Sequence, residues 1–497
     1  MINVVLRGHG FEYEVGELIK VFGLWRDIKF VDDYKIGKDG LFLINEAIDQ
    51  GRKYLISTKI YENSNLVSVE EGSYKIEGNK GNIEKRKKLK RKVKASIFDA
   101  LMKFSKCDIP WGILTGIRPT KIIHELLDSK YNIEEIKGIL KEEYRIRDEK
   151  INLMLDIALR ERKYIYPIDE ELVSLYISIP FCPTRCLYCS FPSNPMKEGN
   201  KKVDEYLRSL SIEIIKMGKL LGQLGKKLES IYIGGGTPTT LSSMQLDTLI
   251  NWIFEAFDIS RLKEFTVEAG RPDTIDRDKL KVLKLNGVNR ISINPQTMNP
   301  KTLSLIGRKH SQHDIDRAFY EAKEIGFDTI NMDVIIGLPK EGIDEVRNTL
   351  QIIKGFSPEN LTVHTLAIKR SSRLNQSLDD FQMAKETLAK EMLNLTKNYA
   401  YEMGLYPYYM YRQKYMVGNL ENLGYCKKNH ECIYNMQIME EKQSIVALGA
   451  GGISKIVFPS DNRLERVPNV KNVDEYIKRV EEMVDRKRVE LTKYTSF

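Results

Sequence analysis

The sequence predicts an α/β protein, with an α+β region before its central repeat and an α+β extension after it. Two observations carry this. Apolar strand candidates recur at 174–180, 229–233, 264–268, 290–294, 328–335 and 361–367, separated by segments of helical length. Strands alternating with helices in this way imply parallel βαβ units. The first of these strands runs straight into Cys182, Cys186 and Cys189, half of the six cysteines in the chain. The expected organisation is an N-terminal α+β unit at 1–80, a helical linker region at 81–168, a barrel-like repeat at 169–375 and a C-terminal extension at 376–497.

At 497 residues, with 42% hydrophobic and 30% charged residues, the chain has the composition of an ordinary globular protein and room for two or three domains. No run of eighteen apolar residues occurs, so no membrane-spanning helix is expected. The opening Met1-Ile-Asn-Val-Val-Leu-Arg reads as a strand and lacks the order of a signal peptide, which points to a cytoplasmic protein.

Residues 1 to 80 mix β-branched runs, such as Tyr54–Tyr61 and Leu66–Glu70, with helical pieces. No catalytic constellation appears there, and His9 reads as a packing or surface residue. Residues 85–94 then hold eight Lys or Arg in ten positions, part of a net charge of +9. A basic run of this kind suits a nucleic-acid arm. Leu89, Val93, Ile97, Leu101 and Phe104, however, recur every three or four residues through and beyond it. That is one apolar stripe, so the segment reads as a packed helix from about Ile83 with a solvated basic face. The turn-rich Trp111–Lys121 follows, in which Arg118 and Lys121 are either surface charges or anchors for an acidic substrate. A helical stretch from Asn132 to about Lys163 leads to the cysteines.

Three thiolates in the spacing C-x3-C-x2-C can hold three corners of a [4Fe–4S] cluster and leave the fourth iron without a protein ligand. A metal with an open position can bind a substrate directly. A zinc site, or a disulfide with a spare thiol, would use the same residues. The stretch Ile179-Pro-Phe-Cys182 through Phe191 resembles the radical SAM superfamily. Within it, the stretch resembles the oxygen-independent coproporphyrinogen III oxidase family, in particular its HemZ-type branch. The resemblance covers about 170 to 460 and implies a partial (βα)6 radical SAM barrel. It also implies Cys182, Cys186 and Cys189 as cluster ligands, and S-adenosyl-L-methionine, two molecules of it, as cofactor.

Each later strand candidate ends in a residue set that the resemblance turns into a SAM contact, at the strand ends where barrel enzymes place their chemistry. Gly234-Gly-Gly-Thr237 can let a ligand approach main-chain groups; the family segment there implies contacts from Gly235, Gly236 and Thr237. Glu268 ends the third strand and can accept hydrogen bonds. Gln296, Arg308 and Asp333 occupy positions the family uses for a second SAM, and Ala367 follows the sixth strand. The family pattern adds Tyr176 and Tyr188 beside the cysteines and Ile453 in Ile445–Lys455, a strand entering a glycine turn.

Phe381–Gly404 reads as a long helix, and the tyrosine-rich Leu405–Tyr415 as core strand or as an aromatic wall for a tetrapyrrole. Cys426, His430 and Cys432 offer three ligands for a metal, interrupted by two lysines. The rest is a charged helical tail.

The resemblance implies oxygen-independent oxidative decarboxylation of coproporphyrinogen III to protoporphyrinogen IX, in porphyrin and haem biosynthesis. The implied partners are a tetrapyrrole substrate and an electron donor such as flavodoxin or ferredoxin. Phe191 stands where the family's oxidases often carry a further Cys. A methyl- or group-transferring radical SAM enzyme and a haem-binding carrier are the alternatives, and RNA modification rests on the basic run. Arg118, Lys121, Arg412 and Lys414 are the candidate anchors for anionic propionates.

Overall fold

The computed structural model describes every residue except 26, 32–39, 76–80, 106, 117, 192–193, 196–200, 368–371, 373, 375–385, 414–415, 417–419, 460–462 and 496–497. The chain divides into two units, Met1–Asp156 and Ile157–Phe497.

The first unit is built on a five-stranded sheet in the order β2-β1-β3-β4-β5. Its strands are β1 (Ile2–Arg7), β2 (Ile28–Phe30), β3 (Leu41–Asp49), β4 (Lys53–Glu62) and β5 (Asn65–Lys75). The basic segment is a helix, Asn82–Ser105, and its apolar stripe decides how it packs. Leu89, Val93, Ile97 and Leu101 are buried in one core with Ile2, Val4, Leu43, Ile56 and Ile60 of the sheet, and Phe104 packs against it partly buried. Ser68 Oγ of β5 donates to the Ala100 carbonyl at 2.9 Å, and Ser96 bonds Thr58 of β4 at 2.7 Å. The segment read as the start of a linker therefore shares a core with the strands before it. On the charged face Lys90 pairs with Glu14 at 2.9 Å, and Arg91 with Glu143.

The helical stretch expected from Asn132 to Lys163 is two helices, Ile133–Glu142 and Asp148–Ile165. Arg145, at φ 60°, breaks it, and its guanidinium grips Asp99 at 2.6 Å and 2.9 Å. The first of the pair opens with a capping box between Asn132 and Glu135, satisfying two of the N–H groups a helix start leaves free. His9 packs on Phe11 at 5.1 Å and bonds Asn45 at 2.7 Å.

The second unit opens with β6 (Leu172–Ile179), followed by a short pair, β7 (Phe181–Cys182) and β8 (Asn194–Pro195). Next come β9 (Lys227–Gly235), β10 (Glu264–Glu268), β11 (Arg290–Ser292), β12 (Thr329–Ile336) and β13 (Asn360–Thr365). Strands β6, β9, β10, β11, β12 and β13 pair in parallel in that order. Helices Lys201–Gln223, Ser243–Ala256, Arg277–Leu285, Gln312–Ile325, Ile343–Phe356 and Glu386–Glu402 follow them in turn. This is the expected six-fold βα repeat. Its strands are almost continuously buried, as those of a sheet covered by helices must be.

The C-terminal extension continues the same sheet on both sides. On one side stand β14 (Tyr406–Tyr411) and β15 (Asn422–Cys426), with β15 antiparallel to β13. On the other, β16 (Ser444–Leu448) lies parallel to β6, and β17 (Ile453–Phe458) and β18 (Arg463–Pro468) follow antiparallel. The result is an eleven-stranded sheet. The tail forms helices Val473–Lys478 and Val480–Leu491. The second is anchored by Lys487, which meets Glu213 of the first barrel helix at 2.6 Å, both side chains being fully buried. Glu213 also accepts from Gly449 N at 2.7 Å, Tyr476 Oη at 2.5 Å and Asn469 Nδ2 at 2.9 Å. Among the described residues no helix is long and apolar enough to cross a membrane.

Candidate metal centre and cofactor cavity

A cavity of about 340 Å³ opens at the C-terminal ends of the parallel strands, and Cys182, Cys186 and Cys189 all line it. The strand β6 delivers them. Pro180 ends its ladder, and the chain turns through β7 so that Cys189 N bonds the Cys186 carbonyl at 3.2 Å. The glycine run after β9 packs under this loop: a Cβ at Gly236 would fall 2.5 Å from the Phe181 carbonyl and 2.9 Å from Cys182 Sγ. Gly235, at φ 111°, holds a backbone geometry that side chains resist. Thr237 closes the turn, its N–H on the Phe181 carbonyl at 2.7 Å and its hydroxyl 3.5 Å from Cys182 Sγ. Burial pushes the Cys182 thiol up to about 11, with the Thr237 hydrogen bond acting against it.

Glu268, at the end of β10, lies on the wall of the same cavity. It accepts from Tyr232 Oη at 2.6 Å. Burial raises its carboxyl to about 7, the Tyr232 bond lowers it, and the charge of Asp333 raises it again. Tyr232 belongs to a cluster of three near-parallel rings, 4.4 Å from Tyr434 and 6.2 Å from Tyr176, which are 6.0 Å apart.

β11 ends at Ser292, and pairing with β12 resumes at Gln296, which bridges Val334 at a φ of 66° and lines the cavity. Gln296 N bonds the Asp333 carbonyl and its own carbonyl accepts from Ile335 N, both at 2.9 Å, so strand β12 fixes the turn. Arg308 is buried; Nη1 donates to the carbonyls of Asn294 at 2.6 Å and Gly270 at 3.0 Å. Asp333 accepts from Asn331 Nδ2 at 2.7 Å and lies 3.5 Å from His364 Nε2. The other ring nitrogen of His364 is 3.0 Å from Tyr411 Oη.

Of the eleven residues expected to contact SAM, nine line this cavity: Tyr188, Gly235, Gly236, Thr237, Glu268, Gln296, Arg308, Asp333 and Ala367. Two do not. Tyr176 belongs to the tyrosine stack, and Ile453 begins β17 with 47% of its surface exposed. Arg271, His364 and Tyr411 line the cavity without having been singled out individually. No motif marks them, because a lone Arg, His or Tyr gains meaning only from its spatial neighbours. Of the proposed propionate anchors, Arg412 is 3% exposed and off the cavity wall, and Lys414 lies outside the described residues. Arg118 and Lys121 belong to the first unit, where Lys121 meets Glu125 at 3.8 Å.

Cys426, His430 and Cys432 do not converge. Cys432 Sγ donates to Glu264 at 3.2 Å, and His430 Nδ1 bonds Thr329 at 2.8 Å. Burial lifts both thiols far above the ordinary cysteine range.

Residues 176–353 match the model of the Radical SAM superfamily. The chain is 41% identical over 381 residues to the oxygen-independent coproporphyrinogen-III oxidase-like protein HemZ of Bacillus subtilis, covering 76% of each chain. It belongs to the HemZ-type branch of the radical SAM superfamily. It is also 40% identical over 197 residues to the heme chaperone HemW of the same organism, covering 39% of this chain and 51% of that one. The solved structure of coproporphyrinogen III oxidase (HemN) from Escherichia coli shares the fold, with a TM-score of 0.52 at 24% identity, covering 66% of this chain and 73% of that chain.

Membership of the radical SAM superfamily implies a [4Fe–4S] cluster and SAM, and the residues present fit both. Three cysteines share one loop on the cavity wall, while Cys426 and Cys432 are buried elsewhere in contacts of their own. Gln296 Oε1 and Arg308 Nε are buried without a hydrogen-bond partner among the described residues. Buried polar groups are rarely left so, and a polar ligand in the cavity would satisfy them.

Proposed function

We propose that this radical SAM protein is an oxidoreductase that converts coproporphyrinogen III to protoporphyrinogen IX without oxygen, by oxidative decarboxylation of two propionate side chains. The observation that carries the reading is the shared cavity: three cysteines and nine of the SAM-contact candidates converge on one space. A protein that merely carried haem would have no evident need for that set.

Removing hydrogen from an unactivated propionate carbon is beyond any side-chain base, because the proton is far too weakly acidic. When bound, the cluster and SAM supply a carbon-centred radical that takes that hydrogen. The protein's own residues bind, orient and exclude water. Cys182, Cys186 and Cys189 would hold the cluster. Gly235 and Gly236 leave room for the methionyl end of SAM, and Glu268 accepts its ammonium or ribose donors. Gln296 Oε1 and Arg308 Nε offer one acceptor and one donor to the same ligands. Arg185 and Arg308 bring guanidinium charge to the wall, which suits carboxylate-bearing substrates.

The test is anaerobic incubation of the reconstituted protein with SAM, a reductant, coproporphyrinogen III and an electron acceptor, followed by mass spectrometry. The expected result is 5′-deoxyadenosine formed in step with vinyl product. SAM cleavage with an unchanged or methylated tetrapyrrole would overturn it.

A second reading, a haem-binding carrier, is favoured by one observation. Phe191, 56% exposed on the cavity wall, stands where a further Cys is frequent in the family's oxidases. Tight haem binding without SAM cleavage would select that reading.

A further inference from the structure

Arg271 follows β10 and is 3% exposed, yet no ligand assignment above uses it. Its Nε and Nη2 atoms form a two-pronged pair with Asp273 at 2.9 Å and 2.8 Å. That pair fixes the plane of the guanidinium and leaves Nη1 aimed the other way. Nη1 donates to Thr184 Oγ1 at 3.0 Å and lies 3.9 Å from Cys186 Sγ, within reach of an N–H···S hydrogen bond. Thr184 is held in turn, its hydroxyl donating to the Gly307 carbonyl at 2.9 Å. Cys186 is buried, so water screens little of the charge beside it.

We propose that Arg271 sets the reduction potential of the cluster, acting through Cys186, with Asp273 opposing part of its charge. The inference rests on the cluster reading. Taking up one electron adds negative charge to a cluster and its thiolates. A donor and a fixed positive charge at one sulfur favour the reduced form and raise the potential. An arginine keeps its charge at every working pH and presents its donors in a rigid fork, so the effect is built into the fold. The carboxylate of Asp273 adds opposite charge slightly further from the sulfur, which both orients Arg271 and moderates it. Arg271 is a positioning residue in this scheme, since it reaches the cluster only through a ligand.

The experiment is an anaerobic redox titration of the full chain, reconstituted with iron and sulfide and without SAM. Dithionite is the one-electron reductant, and the reduced cluster is read by electron paramagnetic resonance. Iron and sulfide per chain are measured for every sample. Arg271→Gln shifts the midpoint to more negative potential, Arg271→Lys shifts it less, and Asp273→Asn shifts it in the positive direction. A merely structural role would not reverse sign between the two partners. Midpoints unmoved in Arg271→Gln and Asp273→Asn at full cluster content would overturn the proposal alone. If Arg271→Gln fails to hold a cluster, Asp273→Asn decides, and a zero or negative shift overturns it. A wild-type chain that takes up no iron and sulfide would overturn the cluster reading and this proposal together.

Discussion

Tyr232 donates its phenolic hydrogen to Glu268 at 2.6 Å, deep at the mouth of strands β9 and β10. The bond favours the ionised carboxylate, and burial disfavours it more strongly, which leaves the group near 7.

The first prediction follows from that balance. Glu268 is ionised above about pH 7 and neutral below it. If the carboxylate accepts the donors of SAM, affinity falls as pH drops through 7, approaching tenfold per unit at lower pH. Equilibrium dialysis between pH 6 and 8 reads the slope. Glu268→Gln should flatten it, and Tyr232→Phe should move the inflection upward, because the bond that lowers the carboxyl is gone.

Cysteine replacement separates the loop from the rest of the chain. Changing Cys182, Cys186 or Cys189 to Ala should abolish the anaerobic iron–sulfur absorbance. The same change at Cys107 or Cys432 should leave it, since Cys432 is spent on Glu264 and Cys107 packs against the core of the first unit. Equal loss from either would contradict the ligand assignment.

The basic helix is predicted to be structural. Leu101 is fully buried against the sheet, so Leu101→Asp places an unpaired charge in the core and should cost several kcal/mol. Reversing Lys85 and Lys87 should change stability by no more than about 0.5 kcal/mol each. Urea unfolding distinguishes the two. Salt-sensitive RNA retention lost with the lysines would reverse the assignment.

Lys487 and Glu213 form an ion pair with no exposed surface on either side chain. Removing one partner strands the other, at a typical cost of about 3–5 kcal/mol. Lys487→Met should therefore lower the urea midpoint sharply, and adding Glu213→Gln should recover part of the loss. A single variant of wild-type stability would refute the coupling.

The barrel was legible because its six strands are apolar and each ends in a residue pattern with chemical content. Cys182, the Gly235–Gly236 pair and Glu268 could be placed at strand ends, and the structure brings them to one wall. The C-terminal strands were less so. Ser444–Leu448 reads as a strand, but nothing local says that it pairs with Leu172–Ile179, because pairing partners are chosen by burial over long range. The break at Arg145 was missed for a similar reason: the helical period continues through it, and Asp99, 46 residues away, holds the turn. Arg271 and His364 carried no pattern at all. Their neighbours Cys186 and Asp333 arrive from other strands.

The pairing of β16 with β6 also sets an order of events for the newborn chain. The two strands are some 270 residues apart, so the strand that carries the cysteine loop leaves the ribosome long before its neighbour exists. At about ten residues per second, that interval is on the order of half a minute. Throughout it, one flank of β6 offers unpaired main-chain groups to any passing strand, beside three exposed thiols. Mispairing of that flank and oxidation of the thiols therefore have the whole of that interval in which to compete with folding.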